Sequence, residues 1–395
     1  MQSFFARRTA WDLTTNRYTQ ALAEHRRAGK ELLDLTASNP TTVGLHYRED
    51  VLLAALAHRD ALHYDPQPKG LLCAREAVAA YYAERVAAVS ADDLILTTST
   101  SEAYSFVFRL MCDPGDAVLV PRPSYPLFDV LADIQDVKLV PYELVYDHGW
   151  LPEPNSLFDA ADRAVAEGTR PRAILVVHPN NPTGSYIHGR ERQLLNDVCA
   201  AYDMAIIADE VFLDYSLADE RPLTFAANED SLTFTLSGLS KISALPQMKV
   251  SWIVTSGPPT LKHDALARQE MIADTYLSLS ASAQLALPVM LAERHNIQPQ
   301  LLARVRENLA EIDTQLARQQ TCRRLEVEGG WYAVLRVPAT ASDEELAVTL
   351  LERTGVLVQP GHFYDFPGNG YLVLSLITEP GTFAQGVRRL LMAMA

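Results

Sequence analysis

The 395-residue chain has only four cysteines, Cys73, Cys112, Cys199 and Cys322, far apart in sequence and without a CxxC pair. Neither a disulfide framework nor a zinc site is expected from that spacing; free, mostly buried thiols are, and no metal site is assigned. Positive charge is also scarce: 34 Lys and Arg stand against 49 Asp and Glu, a net charge of -15. This excludes the basic stripe of a nucleic-acid surface and points to small-molecule partners. Long apolar runs are missing as well. The opening MQSFFARRTAWDLTTNRYTQ lacks the apolar core of a signal peptide and no later segment approaches a membrane span, so the chain reads as a cytoplasmic protein with no membrane partner. There are no internal repeats, low-complexity tracts or charge blocks, which argues for one architecture rather than modules on linkers. With 48% hydrophobic and 21% charged residues, the length suffices for two packed domains.

What the chain does have is alternation. TTNRYTQALAEHRRAG keeps one apolar helical face and closes at Gly29. From there to Pro288, short apolar runs (DLILTT, AVLVP, KLVPYEL, AILVVH, MAIIAD, TFTLSG, VSWIVTS) take turns with helical patterns (AREAVAAYYAERVAA, SEAYSFVFRLMC, YPLFDVLADI, RERQLLNDVCAAY). Strand and helix in alternation predict an α/β unit with a largely parallel sheet flanked by helices. After Pro288 the pattern changes to a long helix, LPVMLAERHNIQPQLLARVRENLAEIDTQLARQ, then shorter strands and helices of an α+β unit. The expected organisation is an N-terminal arm over 1–45, a large domain over 46–288 and a small domain over 289–395.

In open α/β sheets, ligands gather just past the strand ends. After DLILTT, the residues Ser99, Thr100, Ser101 and Glu102 open a helix; hydroxyls and free N–H groups there suit either an anion such as phosphate or ordinary N-capping. After AVLVP, Tyr125 sits on a Pro-bounded loop, its ring either stacked on a planar ligand or packed on a domain edge. The turn Pro179-Asn180-Asn181-Pro182-Thr183-Gly184 follows AILVVH, and its two amides either cap the turn or project one group into a site. Asp209 ends MAIIAD, where burial is costly without a cationic or hydrogen-bonding partner. Lys241 follows TFTL amid small and hydroxyl residues, as a solvated loop charge or as a reactive amine. A phosphate seat, a ring to stack, an amide, a carboxylate and a lysine, each after a strand, together describe a site for pyridoxal phosphate. Lys241 would form the Schiff base and Asp209 would keep the ring nitrogen protonated.

These pieces, with LDLTASNPT, YDPQPKGLLCAREAVAAYY, HPNNPTG, ADEVF, SGLSK and GVLVQPG in that order, resemble the class I/II aminotransferases, pyridoxal-phosphate enzymes of fold type I, over nearly the whole chain. The resemblance implies a homodimer with shared active sites that moves an amino group between an amino acid and a 2-oxo acid. It further implies that Lys241 carries the cofactor and shuttles the proton, Asp209 partners the ring nitrogen, and Asn181 bonds the ring hydroxyl. Tyr125 would stack on the ring, and Ser99, Thr100, Ser101, Ser240 and Lys249 would surround the phosphate. Tyr64 would reach the phosphate of the neighbouring subunit.

Four positions depart from the family pattern. Gly238 stands where a phosphate-binding Ser or Thr is common, with Ser237 or Ser240 as possible substitutes, and Lys249 stands where arginine is usual. Phe212 replaces a tyrosine, so the ring oxygen would lose a donor. Val373 occupies the place of the arginine that clamps the substrate carboxylate, and no arginine occurs between Arg353 and Arg388. Arg336, Lys249, His362, Tyr364 and Arg48 are the replacement candidates. The altered anchor leaves two rival readings: a pyridoxal-phosphate lyase, decarboxylase or racemase, and a protein that keeps the cofactor without turnover.

Overall fold

A computed structural model describes residues 4–85, 87–126, 128–218 and 221–394; Val86 and Leu127, inside two predicted helices, lie outside it. The first strand, β1 (Leu33–Asp34), pairs in parallel with Val356–Leu357 near the other end of the chain. Next come β2 (Leu94–Thr97), β3 (Ala117–Arg122), β4 (Lys138–Tyr146), β5 (Trp150–Pro152), β6 (Pro171–Val177), β7 (Ala205–Asp209), β8 (Thr233–Gly238) and β9 (Ser251–Ser256). They form one sheet in the order β2-β9-β8-β7-β6-β3-β4-β5. The run from β8 to β4 is parallel, β9 is antiparallel to both β2 and β8, and β5 is an antiparallel edge.

The central strands are apolar throughout because both faces are covered. Ile174, Val176, Ile206 and Ala208 join one core, whereas Ala173, Leu175, Ala205 and Ile207 join another with Ala103, Val107 and Phe108 from helix Thr100–Met111. Neighbouring residues alternate between the two cores, as a period of two requires. Parallel pairing brings the carboxyl ends of β3, β6, β7 and β8 to one rim, so the loops carrying Tyr125, Asn181, Asp209 and Lys241 meet there.

The later strands are β10 (Arg323–Arg324), β11 (Tyr332–Arg336), β12 (Val356–Leu357), β13 (Gln359–Pro360) and β14 (Tyr371–Ser375). β10, β11, β14 and β13 make an antiparallel sheet in that order, and β12 is the partner of β1. Ser375 N donates to Leu35 O at 2.7 Å, so the N-terminal segment is also tied to β14.

Several details differ from expectation. The long helix after Pro288 is two helices, Ala281–Ala292 and Arg294–Leu316, meeting at Glu293. Pro288 lies inside the first, which packs on helices Glu49–Leu56 and Leu72–Ala83, so the 288/289 division falls within a helix. The lost N–H bond at proline is outweighed there by burial of Ala286, Leu287 and Met290. Helices Pro154–Ala166 and Pro259–Tyr276 were not apparent as periodic segments. The helix Arg17–Arg27 is capped by Asn16, whose side chain accepts from Thr19 N. Cys73 is exposed and Cys112 half-buried, leaving only Cys199 and Cys322 buried.

Candidate active site

At the end of β8 the chain turns into the short helix Leu239–Ile242, which presents Lys241. Its amine lies 5.4 Å from the ring centre of Phe212 and 4.9 Å from that of Trp331. Burial lowers the Lys241 pKa to about 8, partly opposed by the charge of Asp209. A solvated loop lysine would show no such shift. The backbone beneath is fixed: Tyr215 Oη donates to Lys241 O at 2.6 Å, and Gln298 Nε2 donates to Ile242 O at 2.9 Å.

Asp209 is 8% exposed. Its Oδ2 accepts from Tyr104 Oη at 2.8 Å and its Oδ1 from Val211 N at 3.1 Å. Burial raises its pKa, countered by these two bonds and by Lys241. The neighbouring Glu210 serves the scaffold instead: it accepts from Phe225 N at 2.6 Å and Thr224 Oγ1 at 2.7 Å, and burial pushes its pKa up to about 7.

The two amides of the 179–184 turn divide their work. Asn180 is consumed internally, donating to Pro123 O at 3.0 Å and Thr183 Oγ1 at 2.9 Å and accepting from Ser124 Oγ at 3.1 Å. Asn181 makes no side-chain hydrogen bond among the described residues, and its Oδ1 is sealed from solvent. A buried amide oxygen without a partner is one that a bound donor could satisfy.

At the phosphate end, Ser99 caps helix Thr100–Met111 by accepting from Glu102 N at 3.1 Å, while the N–H groups of Thr100 and Ser101 open its first turn. Ser240 is half-buried on the lysine helix; Lys249 is exposed and forms no ion pair among the described residues. Ser237 is turned away, its hydroxyl donating to Glu210 O at 3.3 Å. The space a side chain would need at Gly238 is already taken: a Cβ there would stand 2.3 Å from Ser251 Oγ and 2.8 Å from Val250 O. Ser251, opposite Gly238 in β9, therefore brings a hydroxyl to the place where the family carries one on the preceding strand. Neither Ser251 nor Tyr104 was legible as a site residue, because both arrive through pairing and packing rather than through a motif.

Tyr125 is 42% exposed, with an edge contact to Phe128 at 6.2 Å, and its loop is held by Ser124 N donating to Tyr364 O at 2.9 Å. Tyr64 is 84% exposed and lines a cavity of about 370 Å³ with His63, Leu96, Phe106 and Leu277, away from the groups around Lys241.

Val373 is buried in β14, in register with Val334 and Gln359. The two arginines considered as its replacement are occupied elsewhere. Arg336 donates to Asn369 O at 2.5 Å with its guanidinium 4.0 Å from the ring centre of Tyr371, and Arg48 Nε is paired with Glu293 Oε2 at 2.6 Å. Tyr364 is buried with its hydroxyl bonded to Gln359, and exposed His362 packs edge-on against Phe363 at 4.7 Å.

The donor set suits pyridoxal phosphate. A partly neutral amine, a buried carboxylate, a free amide oxygen and a helix N-terminus match its aldehyde, ring nitrogen, ring oxygen and phosphate in turn.

This fold is shared with known enzymes. An alanine aminotransferase from Pyrococcus furiosus superposes with a TM-score of 0.86 at 20% identity, covering 99% of each chain, and an aspartate aminotransferase from Thermotoga maritima with a TM-score of 0.80 at 20% identity, covering 98% of each. These likenesses define the class of fold, that of fold type I. The sequence narrows it: residues 13–380 match the family model for aminotransferase class I and II, and the chain belongs to that family. Relatives include the glutamate-pyruvate aminotransferase AlaA of Haemophilus influenzae, 26% identical over 86% of this chain and 84% of that protein. The alanine aminotransferase of Mycobacterium tuberculosis is 26% identical over 92% of this chain and 85% of its own. The chain is accordingly an aminotransferase of a family whose members generally depend on pyridoxal phosphate.

Proposed function

We propose that this cytoplasmic enzyme binds pyridoxal phosphate on Lys241 and transfers the amino group of a small amino acid, with L-alanine and 2-oxoglutarate as the first pair to test. The observation that carries the reading is the Lys241 amine, walled by Phe212 and Trp331 beside Asp209 and the unspent Asn181. The substrate pair is suggested by the names of the relatives, and its turnover in a coupled assay tests it. When bound, the cofactor supplies an electron sink for bonds to the substrate α-carbon. Asp209 would hold the positive ring nitrogen that makes this sink effective. Lys241, with a pKa near 8, would offer its neutral form for covalent attachment and, once freed, would take a proton from one carbon and return it to another. Phe212 and Trp331 exclude water from that transfer. Thr100, Ser101, Ser240, Ser251 and Lys249 would hold the phosphate, and Tyr125 would cover the ring. Exposed Tyr64 fits a homodimer in which it serves the neighbouring site.

Two outcomes are expected here. Only the neutral amine attacks, and its fraction rises with pH, so cofactor uptake by the cofactor-free protein should accelerate about tenfold per pH unit below pH 8 and level off above it. Stopped-flow absorbance follows this directly, and a flat profile between pH 6 and 9 would remove Lys241 as the attachment point. Phe212→Tyr restores a donor beside the ring oxygen. A hydrogen bond to a charged oxygen contributes about 1.5–3 kcal/mol, so the pH-dependent colour change of the loaded protein should shift down by about one pH unit or more.

Val373 and the occupied arginines favour a second reading, in which the carboxylate is released or ignored and the reaction is elimination or decarboxylation. Carbon dioxide, or ammonia without an acceptor, would be its product.

A further inference from the structure

We propose that the substrate carboxylate, which Val373 cannot hold, is held by the two donors that flank this valine, the amide of Gln359 and the hydroxyl of Tyr332. The inference rests on the reading of the protein as an aminotransferase of amino acids and names what selects its substrate. Val373 lies in β14 between two strands: its partner on one side is Gln359 of β13, and on the other Val334 of β11. Tyr332, two residues before Val334, is paired with Ser375. Directly paired residues share a face of a sheet, as do residues two apart, so all five belong to one face of the small sheet. Val373 and Val334 bring no polar atom to it, and Ser375 spends its hydroxyl on Ala37 O. Gln359 and Tyr332 remain.

Both are set toward the lysine. Tyr332 is 8% exposed, and its ring centre lies 6.2 Å from that of Phe212, which walls Lys241. Burial raises its pKa and the nearby Tyr125 adds to this, so the hydroxyl keeps its proton, yet it makes no hydrogen bond among the described residues. A buried protonated hydroxyl without an acceptor is a donor to spare. Gln359 Oε1 accepts from Tyr364 Oη, which fixes the amide and leaves Nε2 without an acceptor among the described residues. Tyr364 is in turn anchored beside the Tyr125 loop, its O accepting from Ser124 N at 2.9 Å. These contacts bring β11 and β13 to the loop whose tyrosine is proposed to cover the ring.

An arginine fork both satisfies a carboxylate and neutralises it; a neutral pair does only the first. Selectivity survives, because a substrate without a carboxylate leaves two buried donors unpaired. The pair therefore selects amino acids over simple amines, with a weaker grip than arginine would give.

The test is absorbance titration of the cofactor-loaded enzyme with 2-methylalanine and, separately, with isopropylamine. The acid has no hydrogen on its α-carbon, so its titration reports binding rather than amino transfer; the amine is the same skeleton without the carboxylate. The parent enzyme should prefer the acid by about a hundredfold, roughly tenfold for each hydrogen bond to a charged group. Tyr332→Phe should retain about a tenth of that preference, and Gln359→Glu, similar in size, should abolish it by setting one carboxylate against another. Isopropylamine should bind both variants within about twofold of the parent, and retained cofactor absorbance shows that they are folded. Equal binding of acid and amine by the parent, an unchanged preference in either variant, or a parallel loss of amine affinity overturns the proposal. Failure of the aminotransferase reading looks different: L-alanine would then bind without yielding pyruvate, while the preference and its loss in the variants would persist.

Discussion

Lys241→Ala is expected to lower turnover by about 10⁴-fold or more, the largest loss of any single substitution in this protein. The side chain is proposed to have two tasks, covalent attachment and proton transfer, and the second alone contributes about 10²–10⁴-fold in enzymes. No neighbour can take over. The amine is enclosed by Phe212 and Trp331, and Lys249, the next lysine along the chain, is exposed. Two measurements separate chemistry from folding. Borohydride treatment should add the mass of the cofactor to the parent protein but not to the variant, and small primary amines should restore part of the lost rate. A variant that retains more than about one hundredth of the parent turnover would contradict the 10²-fold minimum for its proton-transfer role.

Asp209→Asn is expected to be the next most damaging, slowing turnover by roughly 10²- to 5 × 10³-fold and weakening cofactor retention. The carboxylate is buried at the end of β7, held by Val211 N–H and the Tyr104 hydroxyl. Burial raises its pKa, and a cationic ring nitrogen beside it would reverse that shift by stabilising the ionised form. Breaking a buried charge pair by removing one partner costs about 3–5 kcal/mol, which sets the expected range. Tyr104→Phe removes a single hydrogen bond to the same carboxylate and should cost about tenfold. Equal losses in the two variants would mean that Asp209 acts only as a packing group, and dialysis followed by absorbance at the cofactor band would show it.

Most of the large sheet was legible because each central strand is buried on both faces and reads as an uninterrupted apolar run. The residues at their ends could then be collected as one rim. What pairing supplies was hidden. Gly238 looked like the loss of a hydroxyl until β9 was seen to run beside β8 with Ser251 in the vacated space. Tyr104 reads as one more apolar-face residue of its helix, and only packing against β7 turns its hydroxyl to Asp209. Asn180 and Asn181 are indistinguishable as letters; the fold spends one inside the turn and leaves the other free. The two helices that meet at Glu293 read as one because the helical periodicity continues across the break.

The pairing of β1 with β12 bears on how the molecule is made. When the ribosome has released the eight strands of the large sheet, Leu33–Asp34 is still without its partner, because Val356–Leu357 has yet to be synthesised. The strand edge stays open through most of translation, and the unit it belongs to can close only when the end of the chain emerges. A nascent chain stalled before residue 356 should therefore protect the large sheet from protease while its first forty residues remain cleavable, and release of the C-terminal segment should close both ends at once.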